Sequence, residues 1–153
     1  MMAAPVDKVA DVGAPPGLTI EQVTVPGSLE AWVDAYADPM GVDPGQRSAA
    51  VVMEAGHPEA PRHLVRWTGR MDGRVVATSA LLDSDGVAGI YVVATQESYR
   101  GRGIGAALTA AAVAEGSRRG LRLTTLQASS MGRPVYERLG LRAVAEYRLF
   151  RYS

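Results

Sequence analysis

The six residues Gly101-Arg102-Gly103-Ile104-Gly105-Ala106 have the types and spacing to hold a phosphate group. An apolar run, Val87 to Ala94, comes before them and an Ala-rich helical run, Ala106 to Arg119, comes after. The glycines therefore sit where a strand turns into a helix. The first N–H groups of such a helix lack intrahelical partners, and the helix dipole adds partial positive charge there. Glycine lets the chain turn and lets a ligand come close to the backbone. Strand, Gly-rich turn and helix N-terminus together make a phosphate socket. A P-loop would end in Gly-Lys-Ser/Thr, whereas Gly105-Ala106-Ala107 stands here. The literal G-x-G-x-x-A pattern also fits a dinucleotide-binding turn, which wants an acid at the end of the next strand. The next apolar run, Leu121 to Ala128, holds no acid. The third reading is R-x-x-G-x-G, with Arg100, Gly103 and Gly105 in the marked places.

A second segment adds to the loop. The run Leu121 to Ala128 leads into Ser129-Ser130-Met131-Gly132-Arg133-Pro134, and then into Val135-Tyr136-Glu137-Arg138-Leu139-Gly140-Leu141. The loop and this last segment, in this order, resemble the GNAT acyltransferases, the GCN5-related N-acetyltransferase superfamily, which bind acetyl-coenzyme A. The resemblance covers Leu18 to Tyr152. Leu141 departs from the family's usual phenylalanine, apolar for apolar.

The resemblance implies an α/β fold: a mixed, mostly antiparallel sheet with helices on both faces. In such a sheet the strands Val87 to Thr95 and Leu121 to Ala128 are parallel and splay apart at one end. Coenzyme A enters the gap, where unpaired strand groups complement the pantetheine amides. By this resemblance Val93, Ala94 and Thr95 supply backbone contacts to pantetheine. The N–H groups of Gly101, Arg102, Gly103, Ile104, Gly105 and Ala106, with Arg100 beside them, meet the pyrophosphate. Ser129 stands where many relatives carry a pantetheine-binding asparagine. Tyr136 stands where the family has a tyrosine near the sulfur, and is the expected acid for the departing thiolate. A backbone N–H near Val93 or Ala94 is placed to stabilise the oxyanion. Relatives carry a general base at positions that here are Gly89 to Val92 on one strand and Thr124 on the next, and no carboxylate occupies them. Glu54, His57, His63, Asp83 and Asp85 are the outside candidates. A solvent-relayed water, with Tyr91 able to hold it, or an already neutral amine removes the need for a base.

The elements that must position these residues follow from patterning. Residues 1–17, with three prolines and two glycines, read as a loose tail, and 18–153 as one domain. Leu18 to Val25 alternates as a strand. Ser28 caps a helix through Tyr36, and Asp43 caps one from Pro44 to Glu54. Strands follow at His63 to Thr68 and Arg74 to Leu82, with turns at Arg70 to Gly73 and Asp83 to Gly86. The last expected strand is Arg142 to Arg151. Tyr36, Met40 and Trp67 are candidates for an apolar substrate wall. Arg62, Arg66, Arg70 and Arg74 are candidates for an anion site, while Arg66 and Arg70 equally fit one solvated face.

Composition excludes other classes. The chain has 153 residues, 47% of them hydrophobic, and a formal net charge of zero. That suits one core and leaves no electrostatic footprint for nucleic acid or an anionic membrane. There is no cysteine and there are two histidines, so neither a disulfide framework nor a metal site is expected. No apolar run approaches the ~20 residues of a membrane span, and the N-terminus lacks the features of a signal peptide. Cytoplasm is the default compartment. The expected function is acetyl transfer from acetyl-CoA to a primary amine of a small molecule, with a homodimer left open. The alternative is an acyl-CoA-binding module without turnover.

Overall fold

Alternating apolar residues and two Asp-Gly turns build the centre of the fold. A computed structural model describes residues 1–24, 26–148 and 150. Strands β1 (Met2–Pro5), β2 (Thr19–Gln22), β3 (Leu64–Met71), β4 (Arg74–Ser84), β5 (Val87–Thr95), β6 (Leu123–Leu126) and β7 (Arg142–Ala143) form one sheet. Its order is β2-β3-β4-β5-β6-β1-β7. Only β5 and β6 pair in parallel; the other contacts are antiparallel. The β3–β4 and β4–β5 connections turn at Asp72-Gly73 and Asp85-Gly86, all four residues at positive φ. That conformation matches the twist of the flanking strands and makes the hairpins tight.

Helices α1 (Pro26–Ala37) and α2 (Arg47–Ala55) pack on one face, and α3 (Ile104–Arg118) on the other. Two cores result. Leu29, Trp32, Val33 and Tyr36 of α1 meet Leu64, Ala80 and Ala94. Ile104, Leu108, Ala112 and Val113 of α3 meet Val65, Trp67, Val76, Leu81, Ala88 and Ile90. The alternation Ala80/Leu81 and Leu64/Val65 sends neighbours to opposite faces, as the strand period requires. Asp43 Oδ1 accepts the Gly45 N–H at 2.7 Å and starts the turn that leads into α2. The short helix α4 (Arg133–Arg138) brings Tyr136 inward. Among the described residues no helix is long and apolar enough to cross a membrane.

Three expectations are corrected. Residues 2–5 are not a tail: β1 sits between β6 and β7, with Met2 opposite both Leu126 and Ala143. Met2 and Ala4 point into the core while Ala3 and Pro5 do not, a period-two pattern too short and too alanine-rich to stand out. The last strand shrinks to Arg142–Ala143, because β1 already occupies the free edge of β6. Residues 144–148 are exposed, and Leu149 and Arg151 lie outside the described residues. Helix α1 begins at Pro26, two residues before the expected cap Ser28. Proline suits the first helical turn, where its missing N–H costs nothing.

Candidate active site

The splay of β5 from β6 creates the site. Their pairing runs only from Val87–Leu123 to Ile90–Leu126, and past Ile90 the strands part. On its other side β5 slips register against β4 between Thr78 and Ala80. At this bulge Val92 has φ 50°, a left-handed conformation that a β-branched residue rarely adopts. The Thr78 hydroxyl donates to the Val92 carbonyl at 2.7 Å and holds the bulge in place. A non-glycine residue in that conformation costs about 1–3 kcal/mol, which the surrounding pairing must offset.

Beyond the bulge lies a cleft of about 620 Å³. Of the expected ligand-binding residues, Val93, Ala94, Thr95, Arg100, Gly105, Ser129 and Tyr136 line it. Gly103, at φ 79°, ends the loop and starts α3. Gly101 is also left-handed, at φ 76°. Gly105 has ordinary φ and is open: a Cβ there would meet only Thr95 and Val93, at 3.6 and 4.0 Å. The unpaired N–H groups of the first turn of α3 thus lie beside the cleft. The Arg100 Nε donates to the Thr95 carbonyl at 3.1 Å, tying loop to strand. The side chains of Arg102, Ile104 and Ala106 do not line the cleft. Arg102 lies over the Tyr99 ring and donates to the Ser98 carbonyl. Ile104 is core, and Ala106 packs against it. Ile104 and Ala106, with Gly101 and Gly103, have only backbone polar groups to offer, while the exposed Arg102 holds its guanidinium beside the loop. Ser129 Oγ accepts the Gly132 N–H at 3.1 Å, which shapes the turn into α4. Sequence reasoning missed Met131 and Val135 in the cleft wall. Both are apolar neighbours of the motif, and nothing in their spacing distinguishes a cleft wall from core.

Tyr136 is 8% exposed, and burial raises its phenol above the ordinary value of 10.0. It is therefore protonated at neutral pH. Its hydroxyl makes no hydrogen bond among the described residues. Tyr136, Val93 and Met40 also wall a second cavity of about 200 Å³ in the gap between β5 and β6. Tyr91 and Val92 wall both this cavity and a third, also about 200 Å³, beneath α1 and α2. The second space thus shares walls with each of the other two, through Met40, Val93 and Tyr136 on one side and Tyr91 and Val92 on the other.

The third cavity holds two of the base candidates, Glu54 and His57. Glu54 Oε2 accepts from Arg66 Nε at 3.0 Å and from Nη2 at 2.6 Å. Arg66 is thus a buried partner, not part of a solvated face; Arg70 instead meets Glu21 at 3.5 Å near the surface. Asp83 lies 3.9 Å from Arg119, and Asp85 is in the hairpin turn. Both are at the Val87 end of β5, roughly 20 Å of strand from Val93. Thr124 is buried and donates to the Ala88 carbonyl at 3.0 Å, away from the cleft. Of the expected apolar wall, Met40 lines the cleft and Tyr36 is core on the α1 face. Trp67 packs on the α3 face.

The strand gap lies beside a glycine turn and a helix N-terminus, a place suited to a phosphate-bearing ligand. The model of the acetyltransferase (GNAT) family matches residues 29–141, and the chain belongs to this family. A GCN5-related N-acetyltransferase from Kribbella flavida is 28% identical, with a TM-score of 0.71 over 92% of this chain and 52% of that one. The chain therefore spans about half the length of that relative. An acetyltransferase from Clostridium acetobutylicum solved with acetyl-CoA shares 19% identity and the fold, at a TM-score of 0.70 over 88% and 96% of the two chains. An aminoglycoside N-acetyltransferase in complex with CoA shares 20% and the fold, at 0.72 over 88% and 94%. None of the curated proteins compared matches the chain.

Proposed function

We propose that the protein transfers the acetyl group of acetyl-CoA to a primary amine of a small molecule. The observation that carries this reading is the cleft at the parted β5 edge, beside the glycine turn, with Tyr136 in the wall it shares with the neighbouring cavity. Pantetheine suits the parted edge of β5, and the pyrophosphate suits the first turn of α3. Charge-assisted hydrogen bonds of about 1.5–3 kcal/mol each at that turn would offset much of the ordering cost of binding. The amine reaches the thioester from the side of Tyr91 and Val92. Its nitrogen lone pair forms the C–N bond, the C–S bond breaks, and the thiolate takes the Tyr136 phenol proton. The proton lost by nitrogen returns through water to the phenolate, so the products are the N-acetyl amine and free thiol. The Tyr136 phenol holds its proton at neutral pH, and burial makes it a weak acid that yields the proton only to a base as strong as the departing thiolate.

A second reading, acyl-CoA binding without turnover, is favoured by the lack of a carboxylate at Tyr91 and Thr124. Two measurements separate the readings. Acetyl-CoA should stabilise the protein in a thermal-shift experiment where NAD and ATP do not. Thiol release across an amine library should then exceed the rate without amine. Stabilisation without release would leave only the binding module.

A further inference from the structure

Trp32, Leu64, Ala80, Leu82 and Val92 give the third cavity hydrocarbon walls. Trp32 presents only its ring, because its indole N–H is spent on the carbonyls of Trp67 and Ser79, at 3.1 and 3.4 Å. The charges in the cavity wall are Glu54 and Arg66, and they neutralise each other. Both Arg66 bonds to the carboxylate fall on Oε2, and the guanidinium lies 5.4 Å from the Trp32 ring centre. His57 and Tyr91 are the remaining titratable groups in the wall. His57 Nδ1 accepts the Glu59 N–H at 3.3 Å.

Two consequences follow for a ligand. An ammonium entering this space sheds water and finds no unpaired anion, so desolvation favours the neutral amine, the form that attacks. A second ammonium would find the Glu54 charge already balanced by Arg66 and gain little net attraction. The volume sets the other limit. A cavity of roughly 150 Å³ lined by aliphatic and aromatic side chains holds a benzene ring. This one is about 200 Å³.

Resting on the acetyltransferase reading, we propose that the acceptor is a primary monoamine with one compact apolar group of phenyl size. That group sits beneath Trp32 and the amine points past Tyr91 toward Tyr136. Polyamines and amino sugars are then poor acceptors. The test is thiol release at saturating acetyl-CoA with 2-phenylethylamine, spermidine and neamine, beside calorimetric titration of acetyl-CoA alone. The expected result is a kcat/KM for 2-phenylethylamine at least ten times that for the other two. Leu82→Trp, which fills the cavity, should lower that value at least tenfold through KM and leave acetyl-CoA affinity unchanged. A methylene-sized misfit is worth roughly 10–200-fold. Should Leu82→Trp not fold, 2-phenylethanol tests the same point on the unaltered protein: it should compete with the amine and not with acetyl-CoA. Acetyl-CoA binding with spermidine or neamine preferred, or with no competition by the alcohol, would overturn the acceptor assignment alone, whereas acetyl-CoA binding with no amine acetylated would leave the binding module and overturn this proposal as well. No acetyl-CoA binding would overturn the enzyme reading and this proposal with it.

Discussion

Tyr136 and the loop glycines carry different tasks, and single substitutions should separate them. Tyr136→Phe removes one hydroxyl and keeps the ring against the cleft. Acid catalysis typically contributes about 10²–10⁴-fold, so kcat should fall by that factor with little change in the acetyl-CoA KM. A loss confined to KM would make Tyr136 a binding residue only. The raised phenol pKa also sets a direction for pH dependence: kcat should hold through neutral pH and fall only above 10.0, where the phenol begins to ionise. Gly105→Val should weaken acetyl-CoA binding more than tenfold in a folded protein, because the new side chain enters the cleft from a helical backbone. Gly103→Val adds left-handed strain of about 1–2 kcal/mol at the helix start, so its loss of affinity should come with a lower melting temperature. Calorimetry and thermal melts together distinguish the two. The loop was legible as residues, since glycine types and spacing are the signal. The direction taken by Arg102 was not, because one of its partners, the Met71 sulfur 3.9 Å from Nη1, lies 31 residues away in the chain.

The β5 bulge and the α3–sheet contact belong to the scale of the element. Thr78→Val keeps the shape of the side chain and removes the donor to the Val92 carbonyl. An unpaired buried acceptor costs about 1–3 kcal/mol, and this carbonyl is only partly buried, so the variant should melt earlier by no more than that range implies. Its kcat should fall as well, if the bulge orients Val93 toward the thioester; unchanged turnover would detach the bulge from the chemistry. On the opposite face, Gly116 lets α3 approach β5. An added Cβ would lie 2.8 Å from that of Ala88, whose short side chain cannot yield. Gly116→Ala should therefore destabilise by about 1–3 kcal/mol despite alanine's better helix propensity, read as a lower midpoint in urea. Both hairpins were visible in the sequence because Asp-Gly answers a local need for positive φ. The bulge was not visible, because Val92 is a poor residue for that conformation and only pairing with β4 forces it.

At the scale of the whole molecule, stability should depend on the N-terminal strand and on two buried phenols. Ala4→Asp puts a carboxylate into the core where β1 pairs with β6, which should unfold the protein at markedly lower urea. An unchanged midpoint would mean that β1 is not part of the cooperative fold. Tyr36 and Tyr136 both have raised pKa values. Burial is the main cause for each, and for Tyr36 the Glu54 charge adds to it while Arg66 opposes it. Below 10.0 folded and unfolded chains hold these protons alike. Above it the unfolded chain releases protons that the folded one keeps, so stability should fall as pH rises past 10. Urea midpoints at several alkaline pH values check this, and Tyr36→Phe should flatten the trend. By itself the sequence determined what is local: the glycine turn, the hairpins, the amphipathic helices and the order of elements, each set by residues within a few positions of one another. The tertiary structure decided what depends on partners far along the chain. It made the apparent tail a strand, because the open edge of β6 had to be paired. It also decided between an anion site and a solvated face for Arg66, making it half of a buried ion pair, because α2 brings Glu54 over β3.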